Sequence, residues 1–111
     1  MSDHILDQLY PILVNRKDAD PATSYVAKLY GKGTAKVAQK VGEEAVETVI
    51  EALRVDQQAP GSREKLLEES ADLLFHLSIL WAHLGVTPDE VYKVLEGRFG
   101  HSGLERCQSS D

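Results

Sequence analysis

Residues 62–84 read SREKLLEESADLLFHLSILWAHL. Leu66, Leu67, Leu73, Leu74, Phe75, Leu77, Ile79, Leu80, Trp81 and Leu84 spread around almost the whole circumference of a helix. Five polar residues align in one narrow stripe: Lys65, Glu69, Asp72, His76 and His83. It stays narrow because a helix turns once every 3.6 residues. A helix that is apolar nearly all round is a buried helix, so Glu69 and Asp72 are expected to face the inside of a bundle or its central cleft. Ser62 reads as the N-cap and Gly85 as the stop.

A second long helix precedes it, predicted from Thr34 as cap to about Val55. One arc carries Val37, Val41, Ala45, Val46, Val49, Ile50, Ala52 and Leu53. The opposite arc carries Lys36, Lys40, Glu43, Glu44, Glu47, Glu51 and Arg54, the pattern of an ordinary amphipathic helix. Between the two helices lies Gln-Gln-Ala-Pro-Gly at residues 57–61, a strong place for a chain reversal. A hairpin folded there sets Glu44 level with Asp72 and Glu47 level with Glu69. Within each pair the acids are three residues apart, on one helical face.

The flanking chain is also helical in pattern. A first helix is predicted from a Ser2 or Asp3 cap to about residue 16, kinked or ended early by Pro11. Asp20 and Pro21 predict a short helix through Leu29, ended by Gly31 and Gly33. Thr87-Pro88-Asp89-Glu90 predicts a capping box and a last helix to about Arg98. Residues 100–111 form a polar tail. No strand pattern or repeat is found, and the fold class is all-α: a bundle of four to five helices around an antiparallel hairpin, one domain over residues 1–111.

The chain has 111 residues and a net charge of -6, which argues against a nucleic-acid or membrane-surface binder. A lone cysteine, Cys107, forms no internal disulfide and fits a reducing compartment. The start, Met-Ser-Asp-His-Ile, lacks a signal pattern, and the apolar stretch over residues 71–86 is too short and polar to cross a bilayer. A cytoplasmic protein is expected.

Glu43–Glu47 and Glu47–Glu51 are like-charge pairs at i,i+4, which weaken a helix. Buried carboxylates need a partner or a metal. Four facing acids with no cysteine among them select a hard ion, Mg²⁺ or in its place Mn²⁺, bound by Glu44, Glu47, Glu69 and Asp72. Such a site, with phosphate oxygens completing the shell, implies hydrolysis at phosphorus by a metal-activated water. Lys36 and Lys40 stand ahead of the acids as candidate phosphate contacts. Glu43 is the candidate general base, and His76, one turn after Asp72, a candidate substrate contact.

The Glu-Glu-x-x-Glu and Glu-x-x-Asp pattern on paired helices resembles the all-α nucleoside-triphosphate pyrophosphohydrolases, the MazG-like group. Three segments narrow this resemblance: Ser24-Tyr25-Val26-Ala27-Lys28-Leu29, Lys40-Val41-Gly42-Glu43-Glu44-Ala45-Val46-Glu47 and Asp72-Leu73-Leu74-Phe75-His76-Leu77. Together with Arg98-Phe99-Gly100-His101-Ser102-Gly103-Leu104-Glu105, they are similar to the phosphoribosyl-ATP pyrophosphohydrolase family of histidine biosynthesis. The resemblance implies that phosphoribosyl-ATP is hydrolysed to phosphoribosyl-AMP and pyrophosphate with Mg²⁺. It also implies a homodimer of helical bundles, with the site in a cleft.

Two other readings share the same acids. One is a MazG-like or dUTPase-like enzyme that clears free nucleotides. The other is a non-catalytic helical dimerisation module whose acids are surface charge.

Overall fold

Two helices of 23 residues each fold back on one another: α3 (Thr34–Asp56) and α4 (Ser62–Leu84). They follow α1 (Ile5–Asn15), a short 3-10 turn (Arg16–Asp18) and α2 (Tyr25–Gly31), and precede α5 (Pro88–Phe99). The computed structural model describes residues 4–99; the polar tail expected over 100–111 lies outside them. The described residues contain no strand, so the architecture is all-α as the pattern predicted.

The reversal falls where the Gln-Gln-Ala-Pro-Gly segment placed it. Gln58 and Gly61 take positive φ, 60° and 75°, and the Ala59 amide returns to the Arg54 carbonyl at 2.9 Å. The register is pinned by Thr48. Its hydroxyl lies 2.8 Å from the Glu44 carbonyl and 3.2 Å from the Glu69 carbonyl, one oxygen on each helix.

The core gathers at the end of the hairpin farthest from this turn. Leu13, Val26, Leu29, Val37, Ile79 and Ala82 are buried together, with Leu9, Tyr10, Val14, Tyr30, Phe75 and Leu80 packed around them. The Tyr30 hydroxyl donates to the Leu13 carbonyl at 2.7 Å, which fastens α2 to α1.

The element boundaries correct several expectations. Gly33 at φ 93° and Gly61 at φ 75° occupy the N-cap positions, so Thr34 and Ser62 are the first helical residues rather than caps. Each hydroxyl is used elsewhere: Thr34 Oγ1 meets His83 Nε2 at 3.0 Å, and the Ser62 hydroxyl donates to the Ala59 carbonyl at 2.6 Å. Asp20 and Pro21 open a turn, not a helix. The Asp20 carboxylate accepts from the Ala22 amide at 2.9 Å, and Ser24 caps the helix that starts at Tyr25. The α1 cap is His4, whose ring accepts from the Leu6 amide, and α1 runs on through Pro11. The Thr87–Glu90 capping box forms as predicted.

Burial corrects the expectation for α4 and divides the apolar arc of α3. Helix α4 is not buried all round: Leu67, Leu74 and Leu84 are exposed. On α3 the apolar arc is unevenly covered. Val37 is buried, while Val46, Val49, Ile50 and Leu53 are each about half exposed (49–59%). The buried polar residue on α3 is Glu44, at 7% exposure. The reason is geometric. Only α4 lies along the middle of α3, and the hairpin turns the acidic face, not the apolar arc, toward it.

Candidate metal centre

Glu44, Glu47 and Glu69 bring one carboxylate oxygen each to within 4.8 Å of one another. The arrangement follows from local structure. Glu44 and Glu47 share a face of α3, and the Thr48 bridge holds Glu69 across from them. Glu44 Oε2 and Glu69 Oε2 are buried and meet no hydrogen-bond partner among the described residues. Buried acceptors without donors are costly, and these two oxygens belong to a group that could hold a cation.

The electrostatics agree. The Glu69 carboxyl is pushed up to about 7, chiefly by sharing a hydrogen bond with Glu47, then by burial and the charges of Glu47, Glu44 and Asp72. Glu44 is raised by burial, then by Glu47 and Asp72.

Asp72 lies near enough for its charge to act on both Glu44 and Glu69. It is exposed and lies outside the three-acid group, on the wall of an apolar cavity of about 490 Å³ between α1 and α4. Its sequence-derived place among facing ligands is therefore only approached: it is beside the three acids, not within them.

Lys40 leans over the edge of the group, its ammonium 3.4 Å from Glu43 and 3.8 Å from Glu44. Partial burial works to lower the Lys40 pKa, and the charges of Tyr25, Glu43 and Glu44 outweigh that and raise it. Glu43 is exposed. Its carboxylate accepts from Gln39 at 2.8 Å, and that bond, followed by Lys40 and Lys36, holds it below the usual carboxylate range.

His76 is buried. Its Nδ1 lies 2.8 Å from the Asp72 carbonyl, and its Nε2 2.8 Å from the Tyr25 hydroxyl. A carbonyl can only accept, so Nδ1 carries the ring proton and Nε2 accepts from the phenol. The Tyr25 ring meets the imidazole edge-on at 5.8 Å.

Sequence reasoning missed Tyr25 and Thr48. Tyr25 had a readable signal, its place three residues before Lys28 on a helix whose other residues are apolar. Thr48 had none, since its use depends on the register of the hairpin.

The raised Glu69 group makes the metal-free protein pH-sensitive. A carboxyl that holds its proton more tightly in the folded state than at its ordinary 4.5 contributes stability that is fully present below that pH and lost as pH rises through about 7. The melting temperature of the metal-free protein is expected to fall between those limits, and Glu69→Gln to flatten the fall. Equal slopes for both proteins would contradict this account of the site.

The comparisons with known proteins agree with the geometry. A family model described as phosphoribosyl-ATP pyrophosphohydrolase matches residues 6–99. The chain is 56% identical over 104 residues to a phosphoribosyl-ATP pyrophosphatase of Azospirillum brasilense, covering 94% of this chain and 88% of that one. It is 50% identical over 101 residues to the protein of that name from Rhodospirillum rubrum, covering 91% and 81%. Across a larger distance, it is 44% identical over 98 residues to that of Saccharolobus islandicus, covering 88% and 98%. With an all-helical fold, a convergent acidic cluster and this match over most of its length, the chain belongs to the phosphoribosyl-ATP pyrophosphohydrolase family.

Proposed function

We propose that this protein hydrolyses phosphoribosyl-ATP to phosphoribosyl-AMP and pyrophosphate, in the cytoplasm, as a step of histidine biosynthesis. The observation that carries the reading is the pair of buried, donorless oxygens of Glu44 and Glu69 within a three-carboxylate group, in a chain of this family. A surface-charge role for these acids leaves those oxygens unexplained. The donor set is all oxygen, which fits Mg²⁺, with Mn²⁺ as a substitute. Glu44, Glu47 and Glu69 would hold it, with Asp72 completing the set from the α1 side. When bound, such an ion offsets the charge of acids and phosphates together and makes a water more acidic.

The chain's own groups supply the rest. Lys40, and behind it Lys36, place positive charge where the polyphosphate must enter. Glu43, kept ionised by Gln39 and Lys40, is the candidate to take the proton of the attacking water. His76 orders the wall of the site through its bond to Tyr25. The anhydride between the α and β phosphates opens, and pyrophosphate leaves.

The exposed apolar arc of α3 supports a homodimer, in which a second copy covers what one chain leaves open. Among the described residues, no helix is long and apolar enough to cross a membrane.

The test is turnover of phosphoribosyl-ATP against dUTP and the common nucleoside triphosphates. Release of pyrophosphate from phosphoribosyl-ATP in large excess over the others is expected. Equal turnover of dUTP would move the reading to the nucleotide-clearing enzymes.

A further inference from the structure

The segment Ser24–Leu29 has more exposed chemistry than the packing of α2 requires. Val26, Ala27 and Leu29 are buried in the core, and the Ser24 hydroxyl accepts from the Ala27 amide. That accounts for four of its residues. Tyr25 and Lys28 remain, three apart on one face, and both are exposed. They line the same polar depression of about 250 Å³ together with Pro21, Ala22, Thr23 and Ser24. Lys28 has no ion-pair partner among the described residues.

This depression is joined to the acidic cluster through Tyr25. The phenol is bound to His76, whose ring is fastened one turn along α4 at the Asp72 carbonyl. On the other side Tyr25 lies near enough to Lys40 to influence its ammonium. Tyr25 thus stands between the depression and the acidic cluster, one hydrogen-bonded residue from α4.

The proposed substrate has two anionic ends. A triphosphate is at one, and a phosphate monoester on the second ribose is at the other. The acidic cluster with Lys40 suits the first. We propose that Tyr25 and Lys28 form a specificity subsite for the second: Lys28 pairs with the monoester phosphate, and Tyr25, held by His76, is the wall over which the substrate passes. The inference rests on the function proposed above. It gives the enzyme a physical means of preferring phosphoribosyl-ATP to ATP, which lacks the second phosphate. A lysine is suited to this task as a point charge on a flexible stem.

The experiment compares Lys28→Ala with the wild type on two substrates: phosphoribosyl-ATP, and the same compound with its monoester phosphate removed. Loss of one charge-assisted contact is expected to raise KM for phosphoribosyl-ATP by roughly ten- to a hundred-fold, with kcat little changed. The KM of Lys28→Ala for the dephosphorylated compound is expected to match that of the wild type. Lys28→Arg should restore most of the loss, and Lys93→Ala, an exposed lysine of α5 paired with Asp89, should have no effect. An unchanged KM, or an equal rise on both substrates, would overturn the subsite. Failure of the wild type to hydrolyse phosphoribosyl-ATP would overturn the proposed function instead, so the two failures are distinct.

Discussion

Glu44→Gln and Glu69→Gln are each expected to lower kcat by roughly 10²–10³-fold and to remove the rise in melting temperature that Mg²⁺ produces in the wild type. Each substitution keeps the shape of the side chain and deletes one charge. In both residues the Oε2 atom is buried without a donor among the described residues, and only the second oxygen of Glu44 meets a cation, Lys40 at 3.8 Å. The direction for the metal-free protein is the opposite. Glu44 and Glu69 are both pushed up by neighbouring acids, which means the empty site is a cluster of groups that repel one another. Removing one acid relieves that repulsion, so the metal-free variants should melt at or above the wild-type temperature at neutral pH. A variant that is more stable yet inactive separates a metal site from a structural ion pair, whose loss would destabilise. Glu51→Gln is the control. Glu51 lies one turn beyond Glu47 on α3 but pairs with Arg54 at 3.2 Å, so activity and the Mg²⁺ response should survive. Calorimetry with Mg²⁺ reads the same result directly. Undiminished heat of binding in Glu44→Gln and Glu69→Gln would remove the basis for the site.

The hairpin was legible because several signals agreed on it. A five-residue breaker separated two helical patterns, and matched acid spacings fell on either side. The Thr48 bridge between the carbonyls of Glu44 and Glu69 shows that the register follows from that symmetry. Three of the four acids were brought together as the spacing predicted. Asp72 was placed one step too far inward, because a helical wheel gives angles and not the depth to which a neighbour covers each position. The caps were misread for a related reason. Thr34 and Ser62 are good cap residues by type, but Gly33 and Gly61 precede them, and the chain needs positive φ there to turn into each helix. That requirement comes from the direction of approach, which the residue type at the next position does not record. The acidic face of α3 turns toward α4 as the facing acids required, and this leaves the apolar arc from Val46 to Leu53 facing outward. A hydrophobic pattern says that a face is covered but not by which chain.

That arc carries the other large prediction. Val46, Val49, Ile50 and Leu53 follow the i, i+3, i+4, i+7 spacing of a packed helix face, and each is about half exposed (49–59%). Leu67 and Leu74, at 56% and 45%, add apolar surface on α4. Monomers rarely leave a continuous face of this kind open to water. A second copy meeting it across a two-fold axis would bring the same residues together from both sides. Each large side chain so covered is worth about 1.5–3 kcal/mol, and a two-fold contact counts every residue twice. The wild type is therefore expected to sediment at twice the chain mass and to melt at a temperature that rises with protein concentration. Ile50→Glu with Leu53→Glu places charges of one sign against each other at the centre of that contact, at a cost no rim salt bridge offsets. The double variant is expected to sediment as a monomer, to lose the concentration dependence and to melt well below the wild type. The acids of the site lie on the other face of α3, toward α4, so Mg²⁺ should still raise the melting temperature of whatever folded monomer remains. A wild type that sediments as a monomer at micromolar concentration, or a double variant that stays a dimer, would show that this face is not where two copies meet.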